Sequence, residues 1–79
     1  MNKGDRVTCR ERVEAYYSNY GGNPECWFEP GDVGVVANTD VPAVIHIPGR
    51  PPTFCTVDFG KYGFTWRVSL TEDNMRRYD

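Results

Sequence analysis

The sequence lacks any apolar run approaching the roughly 18 residues that a membrane-spanning helix requires. Its opening, Met-Asn-Lys-Gly-Asp-Arg, contains no apolar secretory signal, and neither end carries a lipidation motif. These absences predict a cytoplasmic protein without membrane association. Basic residues are not in excess, because nine lysines and arginines face eleven acids for a net charge of −2. Since binders of phosphate backbones are usually basic, this balance argues against nucleic acid as the partner.

Histidine and cysteine are scarce, and their spacing restricts the chemistry that they can support. His46 is the only histidine. The three cysteines, Cys9, Cys26 and Cys55, are odd in number and far apart. A zinc site of three cysteines and one histidine would usually include a closely spaced pair, which is missing here. We therefore expect reduced thiols, with Cys9 and Cys55 packed in the core, no metal, no catalytic residue and no cofactor.

Length and composition fit one small β domain spanning residues 1–79. A chain of 79 residues has room for a single core, and its hydrophobic fraction of 39% is too high for a disordered segment. Eight glycines and six prolines leave intervals too short for ordinary helices. Short β-rich runs between these turn signals predict a small barrel or sandwich.

Alternation of apolar and polar residues predicts five strands. They lie at 6–13, 33–37, 43–47, 53–59 and 66–70. In the second strand, Val33 and Val35 are expected to contribute core or sheet contacts together with Val36, with Val35 buried, and Gly34 marks a bulge or a close approach of two backbones. Asn, Thr and Asp at 38–40 predict a turn. Residues 71–74 combine a helix N-cap residue, Thr71, with acids in the first turn, which predicts a short helical or 3₁₀ turn. After this turn Met75 is expected to pack against the core.

Aromatic residues crowd the stretch 16–28, which has no clear period and is predicted to be a long loop. They are Tyr16, Tyr17, Tyr20, Trp27 and Phe28. Such a loop either covers the core as a lid or presents a contact surface, and aromatic side chains are enriched in interfaces. We take these five as the candidate partner-binding residues, either for another protein or for a second copy of the chain.

Three segments carry a resemblance to known folds. They are Gly-Asp-Arg-Val at 4–7, Pro-Gly-Asp-Val-Gly-Val-Val at 30–36, and the alternating strand that runs into a helical turn at 66–75. In this order they resemble the SH3-like barrels. The resemblance implies an all-β fold, a small SH3-like five-stranded barrel with one short helical or 3₁₀ turn near the C-terminus.

Within that class, the chain is similar to the variable subunit of ferredoxin–thioredoxin reductase. The similar segments are Met-Asn-x-Gly-Asp-Arg-Val at 1–7, the tyrosine pair at 16–17, Gly-Arg-Pro at 49–51 and Val-x-Phe at 57–59. In that family the subunit has no catalytic residues and packs against an iron–sulfur partner. The sequence thus predicts a non-catalytic protein-interaction module, with such a reductase subunit as the alternative and a nucleic-acid-binding small barrel third.

Overall fold

The computed structural model describes residues 1–17, 26–44, 48–49 and 51–78, and for Tyr16 and Tyr17 it describes the backbone only. This part of the chain forms seven strands and one 3₁₀ turn. The elements are β1 (Arg6–Cys9), β2 (Val13–Tyr17), β3 (Cys26–Phe28), β4 (Gly34–Pro42), β5 (Thr53–Lys61), β6 (Phe64–Leu70), the 3₁₀ turn (Glu72–Asn74) and β7 (Met75–Arg77). The predicted mostly-β class and the predicted turn are confirmed. Nowhere in these residues is there a helix of the length and apolarity needed to cross a membrane.

The strands form one antiparallel sheet in the order β3-β2-β6-β5-β4-β1-β7. Strands β4, β5 and β6 follow one another as hairpins and form the centre of the sheet. Strand β1 lies between β4 and β7, which brings Val7 beside Arg77 near the other end of the sequence. The pairings of the described residues leave β3 and β7 as the two edges.

One face of the curved sheet forms the hydrophobic core. Its buried members are Val7, Cys9, Ala15, Cys26, Phe28, Val36, Cys55, Val57, Phe59, Val68, Leu70 and Met75. Along β5 the buried residues alternate with half-buried ones, as the period of two predicts. Met75, predicted to reach the core from the end of the 3₁₀ turn, is 3% exposed, so this prediction is confirmed.

The number of strands differs from the prediction at the start of the chain. The segment predicted as one strand at 6–13 is two strands, β1 and β2, separated by a turn. The Oδ1 of Asn74 accepts hydrogen bonds from the backbone N–H groups of Arg10 (3.2 Å) and Glu11 (2.9 Å), and these bonds fix the turn. Residues 26–28, predicted as loop, form β3.

Strand β4 is longer than predicted, and it ends where another strand was expected. The turn predicted at 38–40 is wrong, because β4 continues to Pro42 through two irregularities of register with β5 and a positive φ of 54° at Asp40. Ala43 and Val44 lie outside any strand, so the strand predicted at 43–47 does not form there. The remaining residues of that segment, 45–47, lie outside the described residues.

The predicted inward orientation of Val35 is wrong. Val36 is 2% exposed, whereas Val35 is 44% exposed, and in the register of the sheet Val35 lies between Arg6 and Asp58. Gly34 determines which residues of β4 face the core, because β4 approaches β5 so closely that a Cβ on Gly34 would overlap the side chain of Val57. The close backbone approach predicted at Gly34 is therefore confirmed.

Candidate interaction surface

Lys61, the last residue of β5, connects the tip of the β5–β6 hairpin to the segment that follows β3. Its Nζ donates to Asp32 Oδ2 at 2.8 Å, to Glu29 Oε2 at 3.2 Å and to the carbonyl oxygen of Trp27 at 2.9 Å. The lysine side chain is only 16% exposed. The hydrogen bond to Asp32 is the main cause that raises the pKa of Lys61 above its ordinary value. The ammonium group is therefore charged at neutral pH, and its three hydrogen bonds hold the hairpin against residues 27–32.

The Trp27 side chain lies on the outer side of β3. Its two neighbours in the strand, Cys26 and Phe28, are buried, so alternation turns the indole ring away from the core. The ring keeps 40% of its surface exposed, and the guanidinium carbon of Arg12 lies 4.5 Å from its centroid. This cation–π contact and the bond from Lys61 to the Trp27 backbone fix the position of the residue.

Tyr62 occupies a strained position at the tip of the β5–β6 hairpin. Lys61 pairs with Phe64, so the connection is two residues long, and both Tyr62 (φ 55°) and Gly63 (φ 77°) have left-handed backbones. Such turns favour Asn or Gly at the first position, because a bulky side chain crowds the backbone there. Tyr62 is nevertheless 72% exposed, and its ring centroid lies 5.5 Å from the Lys61 ammonium. A strained residue that adds nothing to the core is a candidate functional residue.

Phe64 begins β6 and is 52% exposed. Its ring is 6.2 Å from that of Trp66 in an edge-to-face arrangement. Trp66 is half-buried against the core, and its Nε1–H donates to the Lys61 carbonyl oxygen at 2.8 Å. Trp66 thus anchors the base of the hairpin, while Phe64 remains accessible. Lys61 bonds the Trp27 carbonyl, contacts the Tyr62 ring and pairs with Phe64. We refer to Trp27, Tyr62 and Phe64, which Lys61 links in this way, as the aromatic surface.

The sequence left open whether the predicted loop covers the core or presents a contact surface, and the structure places Trp27 and Phe28 differently. Trp27 belongs to the aromatic surface. Phe28 is fully buried with its ring 4.6 Å from that of Phe59, so it has no exposed surface to offer a partner. Tyr62 and Phe64 were not among the predicted residues, and their only sequence signal is aromatic residues flanking the glycines at 60 and 63.

For the three tyrosines of the predicted set, the structure describes at most the backbone. Tyr16 and Tyr17 belong to β2, where their backbones pair with Arg67 and Trp66 of β6. Their side chains, and the whole of Tyr20, lie outside the described residues.

The three thiols are buried in the core. Cys9 and Cys26 are each 1% exposed and Cys55 is 2% exposed, and all three are free, which confirms the prediction for Cys9 and Cys55. Burial raises the pKa of each thiol, which disfavours the nucleophilic thiolate. No three His, Cys, Asp or Glu side chains within the described ranges are placed to share a metal ion, and His46 lies outside those ranges.

An open groove of about 650 Å³ lies between the β1–β2 turn and the end of β6. Its lining includes Arg10, Glu11, Val13, Ser69, Thr71 and Asp73. Among the described lining residues, the Ser69 and Thr71 hydroxyls have no histidine or cysteine beside them.

No family model, curated protein or solved structure matches this chain.

Proposed function

We propose that this protein is a non-catalytic interaction module that docks to a partner protein through the aromatic surface. The observation that carries the proposal is the exposure of three large aromatic side chains around one lysine: 40% for Trp27, 72% for Tyr62 and 52% for Phe64. Exposed groups of this kind on soluble proteins mark contact sites. Trp and Tyr are also the residue types that dominate binding energy at protein interfaces.

The surface is preorganised for binding. The Lys61 ammonium holds the backbone of Trp27, the two-residue turn holds Tyr62, and the contact with Trp66 supports Phe64. Because these groups are already ordered, a partner loses little conformational freedom of this chain when it docks.

The size of the aromatic surface favours a small contact. An aromatic side chain buries about 150–250 Å² when it is fully covered, so the exposed parts of the three rings supply on the order of 300 Å². A stable interface of standard size buries about 800 Å² on each partner. The area supports docking to a short or transient partner segment more than a permanent dimer through this surface alone.

The absence of catalysis is part of the proposal. Its support is the burial and raised pKa of the three thiols, together with a groove whose described lining contains no histidine or cysteine.

An SH3-like architecture is the scaffold that we propose. Without the β2–β3 hairpin, the remaining strands have the order β7-β1-β4-β5-β6, with the 3₁₀ turn between β6 and β7. This order and the position of the turn support an SH3-like barrel in which the β2–β3 hairpin occupies the long first loop.

Site-specific photo-crosslinking tests the proposed function. A benzophenone amino acid at position 62 is expected to give a discrete crosslinked product in extract of the source cells, and Trp27→Ala in the same chain should abolish it. The matched control places the same group at Val44, which is fully exposed and lies away from the aromatic surface. Products that form equally from both positions, or that persist with Trp27→Ala, would contradict the proposal. Light scattering of the purified chain identifies a second copy as the partner if the crosslinked product is a dimer.

A further inference from the structure

The two edges of the sheet differ in whether they are already occupied. At β3, the carbonyl of Trp27 accepts a bond from Lys61 Nζ (2.9 Å), and the carbonyl of Phe28 accepts one from Cys9 Sγ (3.3 Å). Because carbonyls of successive strand residues point to opposite sides, one of these two acceptors faces the free edge, and an added strand would have to displace its side-chain donor. The edge formed by β3 is therefore already occupied in part.

The β7 edge is open among the described residues. Hydrogen bonds from Tyr78 N–H to Arg6 O and from Arg10 N–H to Asn74 O, both 2.9 Å, place residues 74 and 78 at hydrogen-bonded positions facing β1. By the alternation of antiparallel pairs, Arg76 also faces β1, and Met75 and Arg77 turn their backbone groups outward. The Met75 N–H donates to Glu72 O. The Arg77 N–H and C=O remain directed outward, and no described strand pairs with them.

The side chains at this edge are mostly basic. Arg76 and Arg77 are exposed, as is Arg6, whose carbonyl receives the Tyr78 N–H. The acid in contact with them is Asp5, which lies 3.4 Å from the Arg77 guanidinium. Tyr78 is 42% exposed beside them. Among the described residues, the edge therefore combines an outward backbone donor and acceptor with three arginines and one acid.

We propose that β7 accepts an extended acidic segment of a partner protein as an additional strand. The added backbone would pair with the outward groups of Arg77, and its carboxylates would pair with the neighbouring guanidinium groups, which suit bidentate contacts. A second copy of the chain fits poorly, because pairing β7 with its symmetry mate sets arginines against arginines, and like charges on adjacent strands repel. The edge shares no residue with the aromatic surface, so the inference does not rest on the proposed function.

A peptide titration tests this inference. The probe is a blocked hexapeptide of alternating Glu and Val, the control is the same peptide with Lys in place of Glu, and amide chemical shifts of the full chain are recorded by NMR. We expect the Glu–Val peptide to shift the resonances of residues 75–78 and β1, and to slow hydrogen exchange of the Arg77 amide. Raising the salt concentration should weaken binding, because exposed charges are screened within about 10 Å at 0.1 M.

Variants separate charge from backbone pairing. Arg76→Glu should weaken binding of the Glu–Val peptide by about tenfold or more, because a like charge replaces a partner. Arg12→Glu makes the same change of net charge beside Trp27 and should leave affinity for the Glu–Val peptide unchanged. Arg77→Ala removes the guanidinium side chain and keeps the outward N–H. Arg77→Pro also removes that N–H and should weaken binding further; proline is tolerated where an edge N–H faces solvent.

Three results would overturn the inference: no shift at β7 with millimolar Glu–Val peptide, equal binding of the Lys–Val peptide, or shifts confined to the aromatic surface. If Arg77→Pro does not fold, the comparison of Arg76→Glu with Arg12→Glu decides the outcome.

Discussion

Gly34 and Val57 are packed so closely that β4 and β5 leave no room for a side chain on Gly34. A Cβ at that position would overlap Val57 Cγ1 and would also lie 3.0 Å from the Asp58 carbonyl oxygen. The site is buried at the junction of β1, β4 and β5, where the neighbouring strands fix both backbones.

Gly34→Ala should therefore destabilise the protein by about 1–3 kcal/mol, the usual range for overpacking in a core. Urea unfolding measures this change in the free energy of unfolding. Gly60→Ala in β5 is the matched control, because a Cβ there would meet nothing nearer than the Phe64 carbonyl at 4.0 Å. Equal effects of the two substitutions would show that the close approach of β4 to Val57 is wrong.

Val36→Asp should cost several kcal/mol, because it would bury an unpaired carboxylate in the core. Val35→Asp places the carboxylate on the exposed face and should change stability by less than about 1 kcal/mol. Thermal unfolding of the two variants checks the phase of β4. A larger loss of stability for Val35→Asp than for Val36→Asp would show that Val35, and not Val36, faces the core.

Lys61→Met should lower stability by about 1–3 kcal/mol, because a half-buried ammonium with three acceptors is replaced by a thioether. Arg67→Met provides the comparison. The Arg67–Asp58 pair is bidentate but more exposed, and its loss should cost less than about 1 kcal/mol. Chemical denaturation of both variants measures the difference, and a larger effect at Arg67 would contradict the role given to Lys61.

Tyr62→Asn should raise stability by about 0.5–1 kcal/mol, because Asn tolerates the left-handed backbone that Tyr62 adopts. The same variant should lose the ability to dock, since the most exposed ring of the aromatic surface is removed. Tyr62→Phe is the control for the ring, and its stability should match that of the parent chain. A decrease in melting temperature for Tyr62→Asn would mean that the tyrosine ring stabilises the fold.

Stability should fall at alkaline pH in two stages. Burial raises the pKa of Cys9, Cys26 and Cys55 above the ordinary value of 9.0, and hydrogen bonding to Asp32 raises that of Lys61 above 10.5. In both cases the unfolded chain loses its proton at lower pH than the folded protein. The stabilising contribution is therefore complete below the unfolded pKa and declines above it.

The free energy of unfolding, measured by urea titration between pH 8 and pH 11.5, should begin to fall near pH 9 and fall more steeply above about pH 10.5. Lys61→Met should remove the second stage and keep the first. A constant free energy of unfolding over this range would contradict the burial of the thiols.

The sequence predicts the parts of this fold that depend on local alternation. Cys55, Val57 and Phe59 fall on one face of β5 because polar or half-buried residues separate them, and the period of two alone identifies that face. The 3₁₀ turn is likewise predicted from its own residues. In contrast, the break between β1 and β2 depends on Asn74, which is 63 residues away from Glu11. No local pattern carries that information.

The same distinction applies to the phase of β4 and to the site. Two adjacent valines, Val35 and Val36, fit either phase, and only the approach of Gly34 to β5 selects one. Trp27 could be proposed from its aromatic character. Tyr62 and Phe64 required the register of the β5–β6 hairpin, because that register decides that the turn is two residues long and that both rings lie beyond the core.

The position of β1 between β4 and β7 has a consequence for how the protein folds during synthesis. The hairpins β4–β5 and β5–β6 join neighbouring segments and can form early, whereas β1 needs residues 75–77 to complete its pairing. Until those residues leave the ribosome, Val7 and Cys9 lack a strand on one side and expose apolar surface. We therefore expect closure of the fold to be a late, non-local step that covers the first strand of the nascent chain.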